Sequence, residues 1–443
     1  MSAKGPLSGI RVVDFSRVLA GPHCAKTLHD LGADVIKIEP PRPDISRAAI
    51  PRNEGMSYYY IQQNTGKRNI CLDLNHPEAR EIAMRLCENA DVIIENFRAG
   101  TLAFFGLDYK NVVKRNPKVV YASISGYGQG GPLSHRAAYA PTVHAESGFT
   151  ATLLAHMGDD LTTQRHDAFS HADIYTGLEA TIGILAALYR RSLDGKGQYV
   201  DVAMAATMLA VNERVHADLS GVDVGAEPIA LGPALSPFFR TATGETITIA
   251  TSVISSLTFP FYLAAMRRGD LAYDPRFRTA EDRRANLQAF YEIFQRWVLT
   301  FSTLETLDAQ LDEAKLAFGV VRPLSEFADS EWSKWWGAIV EVDDRQGNTI
   351  RIPGAPWKFS SDTLSHPGQP AYRGEHNNEV LQELGFSSGD IARLIQLGAV
   401  TADGSVSSQR PENGSSRSAQ SLHLAAAFAE HLASQVNEQS SQG

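Results

Sequence analysis

Residues 9–39, GIRVVDFSRVLAGPHCAKTLHDLGADVIKIE, decide how this chain is read. Gly9–Phe15 is a short apolar run, Cys24–Leu31 has the spacing of a helix, and Gly32 leads into a second apolar run, Asp34–Glu39. Strand, helix and strand in that order predict a parallel sheet covered by helices. The first turn, SRVLAGP, lacks the closely spaced glycines that a dinucleotide site requires.

The same alternation continues downstream. A basic pair, Lys67 and Arg68, precedes a predicted strand at Asn69–Leu74; Glu78–Glu88 is an amphipathic helix after Pro77; Asp91–Glu95 and Val119–Ser125 are further strands. Between them lie turns at strand carboxyl ends, where open α/β sheets bind ligands. One turn is Asn96–Gly100; another, after Glu39, carries Arg42, Asp44 and Arg47 among three prolines. Arginines there can grip phosphate in forked geometry, and they are also common solvated loop residues. Gly126, Gly128 and Gly131 satisfy G-x-G-x-x-G. Pro132 and a polar run follow instead of an apolar helix, so the segment reads as a turn near a ligand. That nucleotide motif leaves a dinucleotide-dependent oxidoreductase as one reading of another class, and a non-catalytic binding protein as a second. His135, Tyr139 and His144 have no partner at metal-ligand spacing, and no metal is expected.

Ser170–Ala203, SHADIYTGLEATIGILAALYRRSLDGKGQYVDVA, places one carboxylate, Asp173, at the entrance to a long apolar helix, which a glycine turn then joins to an alternating strand at Gln198–Ala203. An Asp there reads as an N-cap that accepts first-turn amides. The same field keeps a carboxylate ionised, as a nucleophile requires. Spacing alone leaves both roles open.

Composition bounds the rest. With 443 residues, 43% of them hydrophobic, the chain suits two or three globular domains. A net charge of −9 argues against a nucleic-acid face. Cys24, Cys71 and Cys87 match neither a disulfide framework nor a zinc site and read as buried thiols in a reducing compartment. With no apolar leader and no membrane-length run, a cytoplasmic protein without membrane association is expected. The loop Gly221–Pro237 suggests a boundary, giving a large domain at 1–220, a small inserted one at 221–330, a return to the large domain at 331–400, and a polar tail at 401–443 predicted to be disordered. Hairpins are predicted at Ser236–Ala250 and Val340–Ile352, helices at Ala205–Leu219, through Ser256–Phe318 and at Glu375–Leu384. Trp332, Trp335 and Trp336 read as core or interdomain packing, and Leu422–Leu432 as a short amphipathic piece within the tail.

Several motifs in order, GIRVVDFSRVLAGP, LGADVIKIE, NTGKRNICLDL, ADVIIENFRAG, NPKVVYASISGYGQGGP, the Asp173 block ending in GKGQYVDVAM, and RGEHNNEVLQELG, resemble the class III CoA-transferases over Pro6 to about Phe386. That family includes the formyl-CoA and carnitine CoA-transferases. The resemblance implies a Rossmann-like large domain with a parallel sheet built from both ends of the chain, a smaller inserted α+β domain, and an interlocked homodimer. It implies transfer of CoA from an acyl-CoA to a small carboxylic acid, with coenzyme A thioester as substrate and no permanently bound cofactor. Asp173 would be the nucleophile, passing through aspartyl anhydride and aspartyl-CoA thioester intermediates. CoA contacts would fall at Leu19, Ala20, Arg42, Leu72, Asp73, Leu74, Asn75, Asn96, Phe97, Arg98, Phe104, Ala137, Ala138 and Tyr139. Two departures stand out: Ala140 where some members have an acidic residue, and only scattered Gly225 and Gly232 in place of a glycine-rich loop. The α-methylacyl-CoA racemases resemble the chain around the same Asp but place a histidine at Tyr139, so racemase is the second reading.

Overall fold

The computed structural model describes residues 5–52, 56–157, 168–213, 215–220 and 236–402. Its centre is a six-stranded parallel sheet: β1 (Arg11–Asp14), β2 (Asp34–Glu39), β3 (Arg68–Cys71), β4 (Val92–Glu95), β5 (Val120–Ser125) and β6 (Gln198–Ala203). Their order across the sheet is β3-β2-β1-β4-β5-β6. The chain therefore builds outward from β1 in one direction and then, from β4, in the other. The two halves diverge between β1 and β4, the point at which sheets of this order bind ligands at their strand ends.

Neighbouring residues in a strand point to opposite faces, and both faces are covered here. Val13, Ile36 and Ile93 pack on one side with the helix Pro77–Glu88; Val12, Val35 and Val92 pack on the other with the helix Ala20–Asp30 and with Ala180, Ile184 and Ala187 of the long helix His171–Asp194. This double coverage explains why the strands read as continuous apolar runs. Each fully buried Val or Ile contributes roughly 1.5–3 kcal/mol. The first of these cores also takes in residues from late in the described chain: Val380, Leu381, Ile391 and Leu394, from the helices Asn377–Glu383 and Ser388–Gln396, join it, and Val400 bridges to Leu72.

A separate core surrounds Phe239, Ile247, Phe290 and Phe294, under a three-stranded antiparallel sheet of Phe238–Arg240, Thr246–Ile249 and Phe318–Val320. The hairpin Ile339–Asp343 and Thr349–Pro353 packs through Val342, Ile350 and Ile352 onto Met56, Tyr60 and Ile61. Both hairpins stand where the sequence predicts them.

Three expectations change. The long helix starts at His171 with Ser170 as its N-cap, so Asp173 is the third helical residue and not the cap. The helix expected over Ala205–Leu219 is two short ones, Met204–Ala210 and Val215–Leu219. Trp332 and Trp335 remain 49% and 69% exposed rather than buried; Trp332 stacks on Trp336, Trp335 is tilted against it, and Lys358 lies over Trp335 and Trp336. Residues 221–235, with the proposed boundary at Gly221 and with Gly225 and Gly232, lie outside the described residues, as does the tail from 403, including Leu422–Leu432.

Candidate active site

The turn after β1, Phe15–Leu19, lies at the point where the sheet reverses, and the structure holds it from every side. Beneath it are two buried lysines. Lys37, from β2, donates to the Ser16 carbonyl at 2.5 Å. Lys67 donates to the Pro22 carbonyl at 3.0 Å, to Asn64 Oδ1 at 3.0 Å and to Asp14 Oδ2 at 2.9 Å. Burial pushes the Lys67 ammonium down to about 8, with Asp14 opposing the shift. Burial also acts on Asp14, yet Lys67 and Lys37 outweigh it and hold that carboxyl below its ordinary range. Asp44, buried in the loop after β2, accepts the Val18 amide at 3.1 Å and the Ser46 amide at 3.0 Å. Val18 itself sits at φ 68°, a left-handed conformation that a β-branched residue adopts only where its surroundings enforce it.

The purpose of that strain is visible one residue on. Leu19 is buried, and Ala20 starts the next helix, where its backbone amide favours the ionised Asp173 carboxylate. The Ala140 amide, first in the helix Ala140–Glu146, acts on the same carboxylate. Gly177, one turn beyond Asp173, permits the approach: a Cβ there would stand 2.7 Å from the Ala20 carbonyl oxygen and 3.2 Å from the His23 ring. Asp173 is half-buried. Burial raises its carboxyl to about 6, even though the two amides pull it down. The helix end thus does not hold this acid in the ordinary range, as a simple capping reading expects; desolvation wins. Tyr59, half-buried on the helix Tyr58–Asn64, is raised to about 12, first by burial and then by Asp173 and Asp44, which places its phenol within the field of the nucleophile candidate.

The predicted CoA contacts fall in two groups. Asn96 joins the turns after β4 and β1, accepting the Arg17 amide at 2.9 Å and donating to its carbonyl at 2.8 Å. Phe97 lies under the exposed Arg17 guanidinium at 5.5 Å, and Arg98 is exposed beside it. Glu95, buried beneath this turn, accepts the Phe97 amide at 2.8 Å and the Gln129 side-chain amide at 3.3 Å; burial raises it to about 7. Asn75 is exposed and bonded to Asp73 at 2.8 Å, Arg42 is exposed, and Phe104 is 38% exposed. Tyr139 is 63% exposed just before Ala140, with Ala137 exposed and Ala138 half-buried. Leu72 is different: its side chain is wholly in the core and its amide bonds to Glu39, while Leu74 packs against the same core. Sequence reasoning did not single out Asp14 and Lys37, and it named Asp44, Lys67 and His144 without giving them these roles. Asp14, Lys37, Asp44 and Lys67 carry a legible signal, a charge amid or beside an apolar strand where only a paired charge survives burial.

The comparisons with known proteins bear on the same elements. The model of CoA-transferase family III matches residues 7–377. The chain belongs to that family. It is 34% identical over 396 residues to the succinate–glutarate CoA-transferase of Agrobacterium fabrum, covering 86% of this chain and 96% of that one. It is 31% identical to the succinyl-CoA:mesaconate CoA-transferase of Haloarcula hispanica, covering 87% and 98%. Among solved structures, a CaiB/BaiF family protein from Brucella suis superposes with a TM-score of 0.69 at 31% identity, covering 86% of this chain and all of that one. Family membership replaces the oxidoreductase reading; the sheet shares its strand order with dinucleotide-binding folds, but the glycine run follows β5 rather than β1.

Proposed function

We propose that this CoA-transferase moves CoA between small dicarboxylic acids, with Asp173 as the nucleophile. The observation that carries this reading is the carboxylate itself: half-buried, raised to about 6 by desolvation, and met by the Ala20 and Ala140 amides at the mouth of the sheet. A carboxylate of raised pKa is still ionised at neutral pH and is more nucleophilic than a solvated one.

In the first step a carboxylate oxygen of Asp173 attacks the donor thioester carbonyl. The C–S bond breaks, giving a mixed anhydride and CoA thiolate. The thiolate then attacks the aspartyl carbonyl and releases the donor acid, leaving an aspartyl-CoA thioester. The acceptor carboxylate attacks that thioester, forming a second anhydride and freeing the thiolate. Attack of the thiolate on the acceptor carbonyl completes the new acyl-CoA and regenerates Asp173. Two of the four attacks build negative charge on the aspartyl carbonyl oxygen, beside the Ala20 and Ala140 amides that favour the ionised carboxylate. Because every stage keeps an activated acyl group, the sequence of steps needs no ATP.

CoA would lie across the turns after β1 to β4, touching Arg42, Asp73, Asn75, Asn96, Phe97, Arg98 and Phe104. The dicarboxylate preference rests on the relatives, whose names specify succinate, glutarate and mesaconate. A transferase is favoured over a racemase because Tyr139, standing where a base would be needed, is a phenol and 63% exposed. We also propose an intertwined homodimer: Ile182, Tyr189 and Leu193 leave an apolar stripe of the long helix 58%, 69% and 64% exposed, which a second copy would cover. The division into a large domain (1–220 and 331–400) and an inserted one (221–330) belongs to the same proposal. So does a cytoplasmic setting, supported by Cys24 and Cys87, both buried as thiols.

The test is a panel in which succinyl-CoA is offered with glutarate, mesaconate, oxalate and matched monocarboxylates, and the CoA esters are followed by mass spectrometry. New dicarboxylyl-CoA without ATP is the expected product. Transfer to monocarboxylates alone would overturn the substrate class, and interconversion of acyl-CoA epimers without transfer would establish the racemase.

A further inference from the structure

The helix that carries Asp173 begins without a side-chain cap of its own. Ser170 occupies the N-cap position and makes no capping hydrogen bond. Exposed first-turn amides of a helix this buried need a partner, since each one left unpaired costs about 1–3 kcal/mol. The partner comes from another element. His144, 5% exposed on the helix Ala140–Glu146, accepts the Ala172 amide on Nε2 at 3.0 Å.

We infer that His144 clamps the start of the helix that carries Asp173, and that it is a positioning residue for the nucleophile. The helix Ala140–Glu146 supplies through His144 an acceptor for the first turn of the Asp173 helix, at Ala172, the residue immediately before Asp173. This inference rests on Asp173 being the nucleophile of CoA transfer. Its consequence is mechanical: whatever loosens the Ala172 amide swings the carboxylate away from Ala20 and Ala140, and the reaction loses alignment while CoA binding, built on other turns, is spared.

The chemistry of the ring adds a signature. An acceptor nitrogen carries no proton, so the imidazole that serves here is neutral, with its hydrogen on Nδ1. Protonated, it would present N–H to N–H, and the clamp would open. Among the described residues, the groups around it include His171, with ring centres 6.0 Å apart and stacked in turn on Tyr175; Phe149 at 5.2 Å, which is apolar; Asp173, one residue past the bonded amide; and, on its own helix, Glu146, ion-paired to Arg136 at 2.9 Å. Transfer then depends on two groups being unprotonated, Asp173 to attack and His144 to hold it.

Three variants test this. His144→Ala is expected to lower kcat roughly ten- to thirty-fold, the range expected for a lost helix cap, with KM for acyl-CoA within about twofold of the parent. His144→Gln keeps an acceptor oxygen and is expected to restore kcat to within about threefold. Hydrogen exchange over residues 170–178 gives a readout independent of catalysis: faster in His144→Ala, parent-like in His144→Gln. Asp173→Asn serves as the control for the function itself. Activity surviving in Asp173→Asn would sink the nucleophile reading, whereas exchange that is equally slow in all the His144 variants would sink the clamp. A folded His144→Gln as impaired as His144→Ala would also overturn it, because a capping role is satisfied by the amide oxygen.

Discussion

At the scale of single residues, stability and activity pull in opposite directions at Asp173. Its folded-state pKa of about 6 exceeds the ordinary 3.8, so between those values the native protein binds more protons than the unfolded chain. Stability therefore falls as pH rises through that window, and the ionised nucleophile is tolerated rather than stabilising. Asp173→Asn is accordingly predicted to raise the melting temperature at pH 7 while lowering transfer by more than about a thousandfold, a pair of outcomes checked by calorimetry and a single-turnover assay. Gly177→Ala tests the approach of the helix to Ala20. A Cβ 2.7 Å from a carbonyl oxygen must move backbone, and a loss of about 1–3 kcal/mol in denaturant unfolding, together with a drop in kcat, is expected. Unchanged kcat in that variant would mean that the Ala20 amide is not needed.

Among the elements, the turns at the strand ends depend on buried charge. Lys67 joins Asp14, Asn64 and Pro22, and Lys67→Met would strand the Asp14 carboxylate without its cation; a loss of about 3–5 kcal/mol by urea unfolding is predicted. Glu95 pins the Asn96–Arg98 turn through the Phe97 amide. Glu95→Ala is predicted to raise KM for acyl-CoA several-fold with a smaller effect on kcat. Glu95→Gln, which keeps the acceptor, is predicted to remove the decline in stability that its raised pKa imposes between about pH 4.5 and 7. The sequence makes the elements legible because burial on both faces writes continuous apolar runs at Arg11–Asp14, Asp34–Glu39 and Val92–Glu95. Cap geometry is less legible. Ser170, Asp173 and His144 all stand near a helix start, and nothing in their spacing says that the cap is a histidine 28 residues upstream of Ala172.

For the whole molecule, the family motifs locate Asp173 and the turns that surround it, while partner-dependent features stay hidden in a single chain. The tryptophans illustrate this: helical spacing suggests burial, yet Trp332 and Trp335 stay largely exposed, as does the stripe of Ile182, Tyr189 and Leu193. If a second copy covers the long helix, light scattering gives twice the chain mass, and Tyr189→Glu lowers it toward one. The central claim is covalent, and the intact enzyme can be asked directly. Protein incubated with acyl-CoA is quenched with hydroxylamine or borohydride, digested, and the peptide carrying Asp173 is weighed. A CoA-dependent hydroxamate or alcohol at Asp173, absent from Asp173→Ala, is the predicted result; an unmodified Asp173 in protein that is turning over, or full transfer by Asp173→Ala, would contradict it.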